Sequence, residues 1–503
     1  GDGEAETGPL EGSWKGISLV LPTRHGAVPP LLPPDRAKLA GPTVLARKDP
    51  AEVRSLLEGH GYDVIEVTGD DLPGMHYRFA EALARSWAGI RGIQAAARGG
   101  GWDGVRPRWP MIVLRTPKGW TGPSVVDGVR VVGTWRSHQV PLAGIKGNDE
   151  HLRILDGWLR SYRPDELFDD DGRPTELVRR ANPEGPYRMS GSPHANGGLL
   201  TVDLDLPDFR EYALDVPRPA YLLGELMRDI YRRNPDRFRL FCPDETNSNR
   251  LGAVFEVSDR AFAERVTEDD VALSRNGRVM EVLSEHNCHG WLEGYILTGR
   301  HGWFATYEAF AMVSASQTIQ HSKWLEEAEH LSWRANVPSL NILLTSTAWR
   351  NDHNGFSHQG PGLIQNVITQ RGSVGRVYLP PDANTLLSVA DHCLRSRSYV
   401  NLVVIDKQPQ LQWLSIDDAI AHCARGAGVW EWAGTDDGTA DPDIVLACAG
   451  DVVTMETVAA ASILRDRVPQ LRTRVVNVVD LMAMMRPKAH PHGMDPMLFN
   501  ELF

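Results

Sequence analysis

SLNILLTST (residues 339–347) is an apolar, strand-like run, and the polar, glycine-containing loop NDHNGFSHQGPG (351–362) follows it. A loop so placed lies at a strand's C-terminal end, where open α/β sheets bind ligands. Strand-like runs recur on both sides of it: YDVIEVTG (62–69), MIVLRT (111–116), NGRVMEVL (276–283), GRVYLP (375–380), YVNLVVID (399–406) and IVLACAGD (444–451). Helix-like stretches separate them, and a helical VVTMETVAAASILRD and then TRVVNVVDL follow the last. Short apolar strands alternating with helices predict an α/β protein whose parallel sheets are flanked by helices on both faces.

A chain of 503 residues suits two to four domains. Its 42% hydrophobic and 23% charged residues are a globular, soluble composition. Nothing in it reads as a signal peptide or a membrane span, so a cytoplasmic location without a membrane partner is expected. The net charge of −12, with no basic stripe, argues against nucleic acid. Phosphorylated substrates remain open, since they need only a local cluster of Arg, Lys and His. The five cysteines are scattered and form no C-x-x-C pair, which argues against a disulfide framework or a thiolate zinc site and fits a reducing compartment.

Pro, Gly and charge crowd residues 164–198, and GTDDGTADPD (434–443) marks a second break. The expected division is 1–163, a linker over 164–198, then 199–433 and 434–503. The last segment offers too little chain to cover both faces of a sheet, so the sequence is expected to be cut there.

Several stretches carry residues suited to chemistry. In GDGEAE (1–6), Asp2 between glycines suits a Mg²⁺ ligand beside a diphosphate, or a plain turn. The 351–362 loop presents His353, Asn354, His358 and Gln359, as an anion or acid–base site, a metal site or a polar surface loop. Residues 281–310 begin as a strand and become a helix, with Glu285 at the junction as a shielded acid or a helix cap. Tyr307 and Phe310, three apart, are expected on one helical face, by default as core. HNCH (286–289) is a weak zinc pattern, because its ligands do not converge within one turn. Lys118, His138, Ser248, Arg250 and Lys407 stand in loops, several of them after strand-like runs, which is where a phosphorylated substrate would need them.

Taken in order, GDGEAETGP, GPTVLAR, RTPKGWTGP, RSHQVPL, ETNSNRLG, LSEH, GWLEGYILTGRHG, YEAF, DHNGFSHQ, DKQP and VVNVVDLM resemble the phosphoketolases, thiamine-diphosphate enzymes related to transketolase. The resemblance covers nearly the whole chain and implies a transketolase-like fold. Residues 1–163 would be the C-terminal part of the diphosphate-binding domain, 199–433 the pyrimidine-binding domain and 434–503 the start of a truncated third α/β domain. It also implies that the chain is an internal fragment and that the cofactor lies between domains of two subunits in a homodimer or higher homo-oligomer.

By the same resemblance, Asp2 would ligate Mg²⁺ (or Ca²⁺), with Gly3 and Glu4 against the diphosphate and Lys118 and His138 near cofactor and substrate. Glu285 would bind N1′ of the aminopyrimidine, and Tyr307 and Phe310 would line its pocket. Ser248, Arg250, His353, His358 and Lys407 would surround the sugar phosphate, with Asn354 and Gln359 at the reacting carbons. His353, His358 and Lys118 would move protons. One segment departs from the family: LPPDR (32–36) stands where LHLNG is usual, so Asp35 replaces a metal-binding Asn. Two prolines and a lost Gly alter the backbone whose carbonyl, at Ala37, would bind the same ion.

The activity implied is phosphorolytic cleavage of xylulose 5-phosphate or fructose 6-phosphate by inorganic phosphate. A two-carbon fragment carried by thiamine diphosphate would become acetyl phosphate, leaving glyceraldehyde 3-phosphate or erythrose 4-phosphate. The alternatives are a transketolase-like ketol transfer, against which DHNGFSHQ and RSHQVPL argue, and a catalytically dead fragment. On the fragment reading the 503-residue chain is expected to be inactive.

Overall fold

The computed structural model describes the chain except for residues 2, 35–40, 197, 215–220, 348–359, 371 and 409. It divides into two compact units, 1–184 with 262–269, and 185–261 with 270–503.

The first unit is built on a three-stranded parallel sheet of order β1-β3-β2, with β1 Leu31–Leu32, β2 Tyr62–Thr68 and β3 Trp109–Arg115. Strand β2 buries Tyr62, Val64, Ile65 and Val67, and β3 is apolar and buried along most of its length. Helices Pro50–Gly59 and Leu72–Arg98 pack on these strands. Asp49 caps the shorter helix, its side chain accepting from Ala51 N at 2.8 Å. Trp14, Tyr62, Trp109 and Met111 anchor the core.

The second unit carries a six-stranded sheet in which every pairing is parallel. Its strands are β4 Phe238–Cys242, β5 Met280–Glu281, β6 His301–Tyr307, β7 Leu340–Thr345, β8 Gly375–Tyr378 and β9 Val400–Val404, in the order β8-β9-β7-β6-β4-β5. All residues of β6, β7 and β9 are buried, as expected for central strands covered on both faces, and so are those of β8 at the sheet's edge. A smaller sheet, β10 Ala427–Val429, β11 Ile444–Ala449 and β12 Thr473–Val478, has order β10-β12-β11, with β10 antiparallel at its edge. Residues 427–429, ahead of the sequence break near 434, thus share a sheet with residues after it. Leu379 N donates to Val479 O at 2.8 Å, joining the two sheets.

The strand runs read from the sequence form as expected except NGRVMEVL, of which only Met280–Glu281 pairs. Strands β4 and β6 went unread. The seven residues of β6 are all buried, so no alternation marks them. Tyr307 consequently ends a strand instead of sharing a helical face with Phe310, which lies in the next short helix, Glu308–Ala311. The five cysteines are all free thiols. Among the described residues no helix is long and apolar enough to cross a membrane.

Register in the large sheet is fixed by a buried amide pair. Asn341 on β7 faces Asn401 on β9, whose Nδ2 donates to Asn341 Oδ1 at 2.8 Å. A one-residue slip would separate the two side chains and leave their amides unpaired in the core. Asn401→Ala leaves a buried amide without its donor, with an expected cost of about 1–3 kcal/mol in urea unfolding followed by circular dichroism. A change under about 0.5 kcal/mol would remove the amide pair from this role.

Candidate functional site

Four parallel strands bring their C-terminal ends to one edge of the large sheet, and the chemistry-bearing residues follow those ends directly. The loop after β4 carries Glu245, Ser248, Asn249 and Arg250, Tyr307 ends β6, Thr345 ends β7, and Lys407 follows β9. Glu285 opens helix Glu285–Ile296, just after β5. Its neighbour Ser284 is the cap, accepting from Asn287 N at 3.4 Å. Glu285 therefore stands half-buried in the first turn without serving as the cap.

The loop after β4 is held from several sides. Glu281 accepts from Thr246 N at 3.1 Å and pairs with Arg260. Buried Asn249 accepts from the Thr345 hydroxyl. Arg250 holds a left-handed φ of 62°, and Gly224 on the helix Tyr221–Arg233 lies close enough to its carbonyl that a Cβ would come within 2.8 Å.

At the centre is a buried ammonium. Lys407 is 6% exposed and donates to Tyr307 Oη at 3.1 Å and Ser248 Oγ at 3.2 Å, with its Nζ 4.2 Å from the centre of the Tyr307 ring. The two hydroxyls also bond to each other. No carboxylate among the described residues lies within ion-pair distance of Lys407. Phe310 stacks on Tyr307 at 6.2 Å between centroids.

Glu245, 8% exposed, accepts from Tyr307 N at 3.3 Å. Burial pushes its carboxyl up to about 7, and the charge of Glu285 adds to the rise, while Lys407 opposes it. Sequence reasoning missed Glu245. It stands beside Asp244, and only the fold separates the two: Asp244 is exposed at φ 59° and Glu245 is buried.

The first unit gathers a second set. Lys118 lies in a turn after β3, and Gly119, at φ 69°, presses so closely on Ser137 that a Cβ would overlap it. That contact holds the Lys118 turn against the turn Trp135–His138, at whose end His138 is exposed. Gly3 precedes the short helix Glu4–Glu6. Exposed Glu4 has its carboxyl held low, chiefly by a 2.9 Å bond to the Gly1 amine and more weakly by the Lys118 charge. Asp2, Asp35, Ala37, His353, Asn354, His358 and Gln359 lie outside the described residues. Among the described residues no group of three or more His, Cys, Asp or Glu could hold a metal ion.

Comparison with known proteins follows the same layout. Residues 221–396 match the family profile of D-xylulose 5-phosphate/D-fructose 6-phosphate phosphoketolase, and residues 1–200 and 407–503 match its N-terminal and C-terminal domains. A probable phosphoketolase of Mycolicibacterium paratuberculosis is 56% identical over 100% of this chain and 63% of its own length. Those of Rhodopseudomonas palustris (strain BisB5) and Streptomyces coelicolor are 55% and 54% identical, with 65% and 64% of their lengths covered. The chain thus spans a little under two thirds of these curated relatives. Among solved structures, a transketolase mutant of Pichia stipitis aligns with TM-score 0.61 at 16% identity, over 96% of this chain and 64% of that one. The transketolase of Leishmania mexicana aligns with TM-score 0.60 at 16% identity, over 95% and 64%. At such identity the likeness concerns the fold alone.

The Glu245 carboxyl carries a stability signature. Its ordinary value is 4.5 and its folded value about 7, so between these the folded state holds more protons than the unfolded one. Stability contributed by this group is therefore present below pH 4.5 and is lost as pH rises toward 7. Glu245→Gln removes the dependence. Relative to the parent, the variant should gain about 2 kcal/mol in urea unfolding between pH 5 and pH 8. A difference that stays constant over that range would contradict the burial-raised carboxyl.

Proposed function

The chain belongs to the phosphoketolase family, and from that premise we propose that its site cleaves xylulose 5-phosphate, fructose 6-phosphate or both by phosphorolysis. The products are acetyl phosphate with glyceraldehyde 3-phosphate or erythrose 4-phosphate. The observation that carries this reading is the buried Lys407 ammonium, bonded to two hydroxyls and with no carboxylate partner among the described residues. A buried cation is costly unless an anion completes it, and a sugar phosphate does so. Ser248 and Tyr307 add two hydroxyl donors for phosphate oxygens, and Arg250 on the same loop adds a planar one.

What supports thiamine diphosphate here is the donor set. The Tyr307–Phe310 stack offers flat apolar faces to a ring, with the Glu285 carboxyl on the same sheet edge. In the first unit Gly3 and Lys118 suit a diphosphate, and Asp2, Asp35 and the Ala37 carbonyl would hold Mg²⁺ or Ca²⁺. The bound cofactor supplies the carbon nucleophile that no side chain provides. Glu285 holds a proton at the pyrimidine N1′. Glu245, neutral part of the time near pH 7, limits the negative charge beside Glu285. His353, His358 and His138 move protons as the ketose is cleaved and its hydroxyl departs, with Asn354 and Gln359 orienting the reacting carbons. Acetyl transfer to phosphate in preference to water needs a site closed to solvent. A cytoplasmic homodimer, each subunit completing the other's site, belongs to the same reading.

The reading of a fold without turnover draws no support from the described residues, among which Ser248, Tyr307 and Lys407 meet at the strand ends. The deciding assay incubates the full chain with thiamine diphosphate, Mg²⁺, phosphate and either ketose phosphate, trapping acetyl phosphate as its hydroxamate. Phosphate-dependent hydroxamate is expected. Ketol transfer to an aldose phosphate instead would favour the transketolase-like alternative, and no product from either ketose would overturn both.

Two variants separate the roles. Glu285→Gln should lower kcat by about 100-fold or more. Lys407→Met should act mainly on KM for the ketose phosphate, raising it about 10-fold or more.

A further inference from the structure

The second unit contains a cavity of about 650 Å³ that shares no residue with the Glu245–Lys407 cluster. It opens between helix Ala383–Arg395, the end of helix Ile416–Arg425 and the segment 479–492. Cavities of this size take small organic ligands.

Its wall holds an unanswered donor. Tyr378 is 5% exposed, lines the cavity, and its buried hydroxyl finds no acceptor for its proton among the described residues. Such a group costs free energy unless a ligand or water satisfies it.

Behind the wall stands an unanswered charge. Arg376 is 5% exposed, with its guanidinium 3.5 Å from the centre of the Tyr399 ring and Nη1 3.5 Å from His392 Nε2. It makes no ion pair with any carboxylate among the described residues. Because Arg376 donates to Nε2, the neutral His392 ring carries its proton on Nδ1 as a donor. His492 is 6.3 Å from His392 between ring centres, and its Nδ1 lies 2.6 Å from Asp480 Oδ2, which leaves Nε2 uncommitted to that bond.

The remaining charges on the lining also favour an anion. Asp391 is engaged by Arg395 through bonds of 2.8 and 2.9 Å, and Asp480 by His492. Arg210 and Arg425 stand at the exposed rim. The His392 imidazole is held below its usual value by burial and then by the Arg376 charge, which fits a positive local field. Val389, Ile420 and Val479 give the cavity an apolar side.

We propose that this cavity is a second anion site that binds a small organic phosphate. Its phosphoryl group meets Tyr378, His392 and His492, backed by the buried Arg376, and its carbon portion rests against Val389, Ile420 and Val479. Tyr378 donates a hydrogen bond for which the described residues offer no acceptor, and the ligand's charge answers Arg376.

The test titrates the full chain, labelled with ¹³C at histidine Cε1, with inorganic phosphate, and follows the imidazole signals. His392→Gln and His492→Gln assign the two resonances. Both should shift together and saturate. Tyr378→Phe should weaken that binding at least threefold, and Arg425→Ser, at an exposed position that leaves the fold intact, should weaken it as well. Lys407→Met should leave it unchanged, because Lys407 lies in the other cluster. Signals that do not move, that move without saturating, or whose response disappears in Lys407→Met would overturn the proposal. So would an affinity unaltered in both Tyr378→Phe and Arg425→Ser.

Discussion

A parallel sheet delivers every strand's C-terminal end to the same edge, and the chemistry of the second unit depends on that alignment. Strands β4, β6, β7 and β9 run side by side in the fixed order of the sheet, so residues distant in sequence meet just beyond their ends. Ser248, Tyr307 and Lys407, separated by 59 and 100 residues, share hydrogen bonds there. The buried Asn341–Asn401 pair holds the neighbouring strands β7 and β9 in one register. A slip along either strand would shift Lys407 relative to Tyr307 by more than a hydrogen bond tolerates.

Electrostatics then set what the edge can do. Lys407 offers positive charge in a place with little water to screen it, so its attraction for an anion is far stronger than on the surface. Glu245 and Glu285 share the same neighbourhood, and two adjacent carboxylates in a poorly solvated place do not both ionise cheaply. The structure resolves the conflict by burying Glu245 more deeply, which keeps it protonated up to about pH 7. Glu285, half-buried on the first turn of its helix, retains access to a ligand.

The same unit shows how a second sheet extends the first. The bond from Leu379 N to Val479 O runs on from the end of β8, so the smaller sheet begins where the larger one ends. Helices Ala383–Arg395 and Ile416–Arg425 pack together beside that junction, and the cavity with Tyr378 in its wall lies among them.

Much of this was legible in the amino-acid sequence, because apolar runs of five to seven residues between helical stretches have few other solutions than a covered parallel sheet. Ordered motifs such as GDGEAETGP, ETNSNRLG and DHNGFSHQ carried the family, and the strand-end position of Lys407 followed from the run before it. Strand β6 was not legible: its seven buried residues show no alternation, so Tyr307 was misread as helical. Neither was Glu245, since a sequence shows two neighbouring acids without showing which one the fold removes from water. Burial, and with it the raised carboxyl of Glu245 and the buried charges of Lys407 and Arg376, arises from residues far apart in the chain packing against each other. Local pattern fixes which segments become strands, and tertiary packing alone decides which of their polar groups lose their solvent.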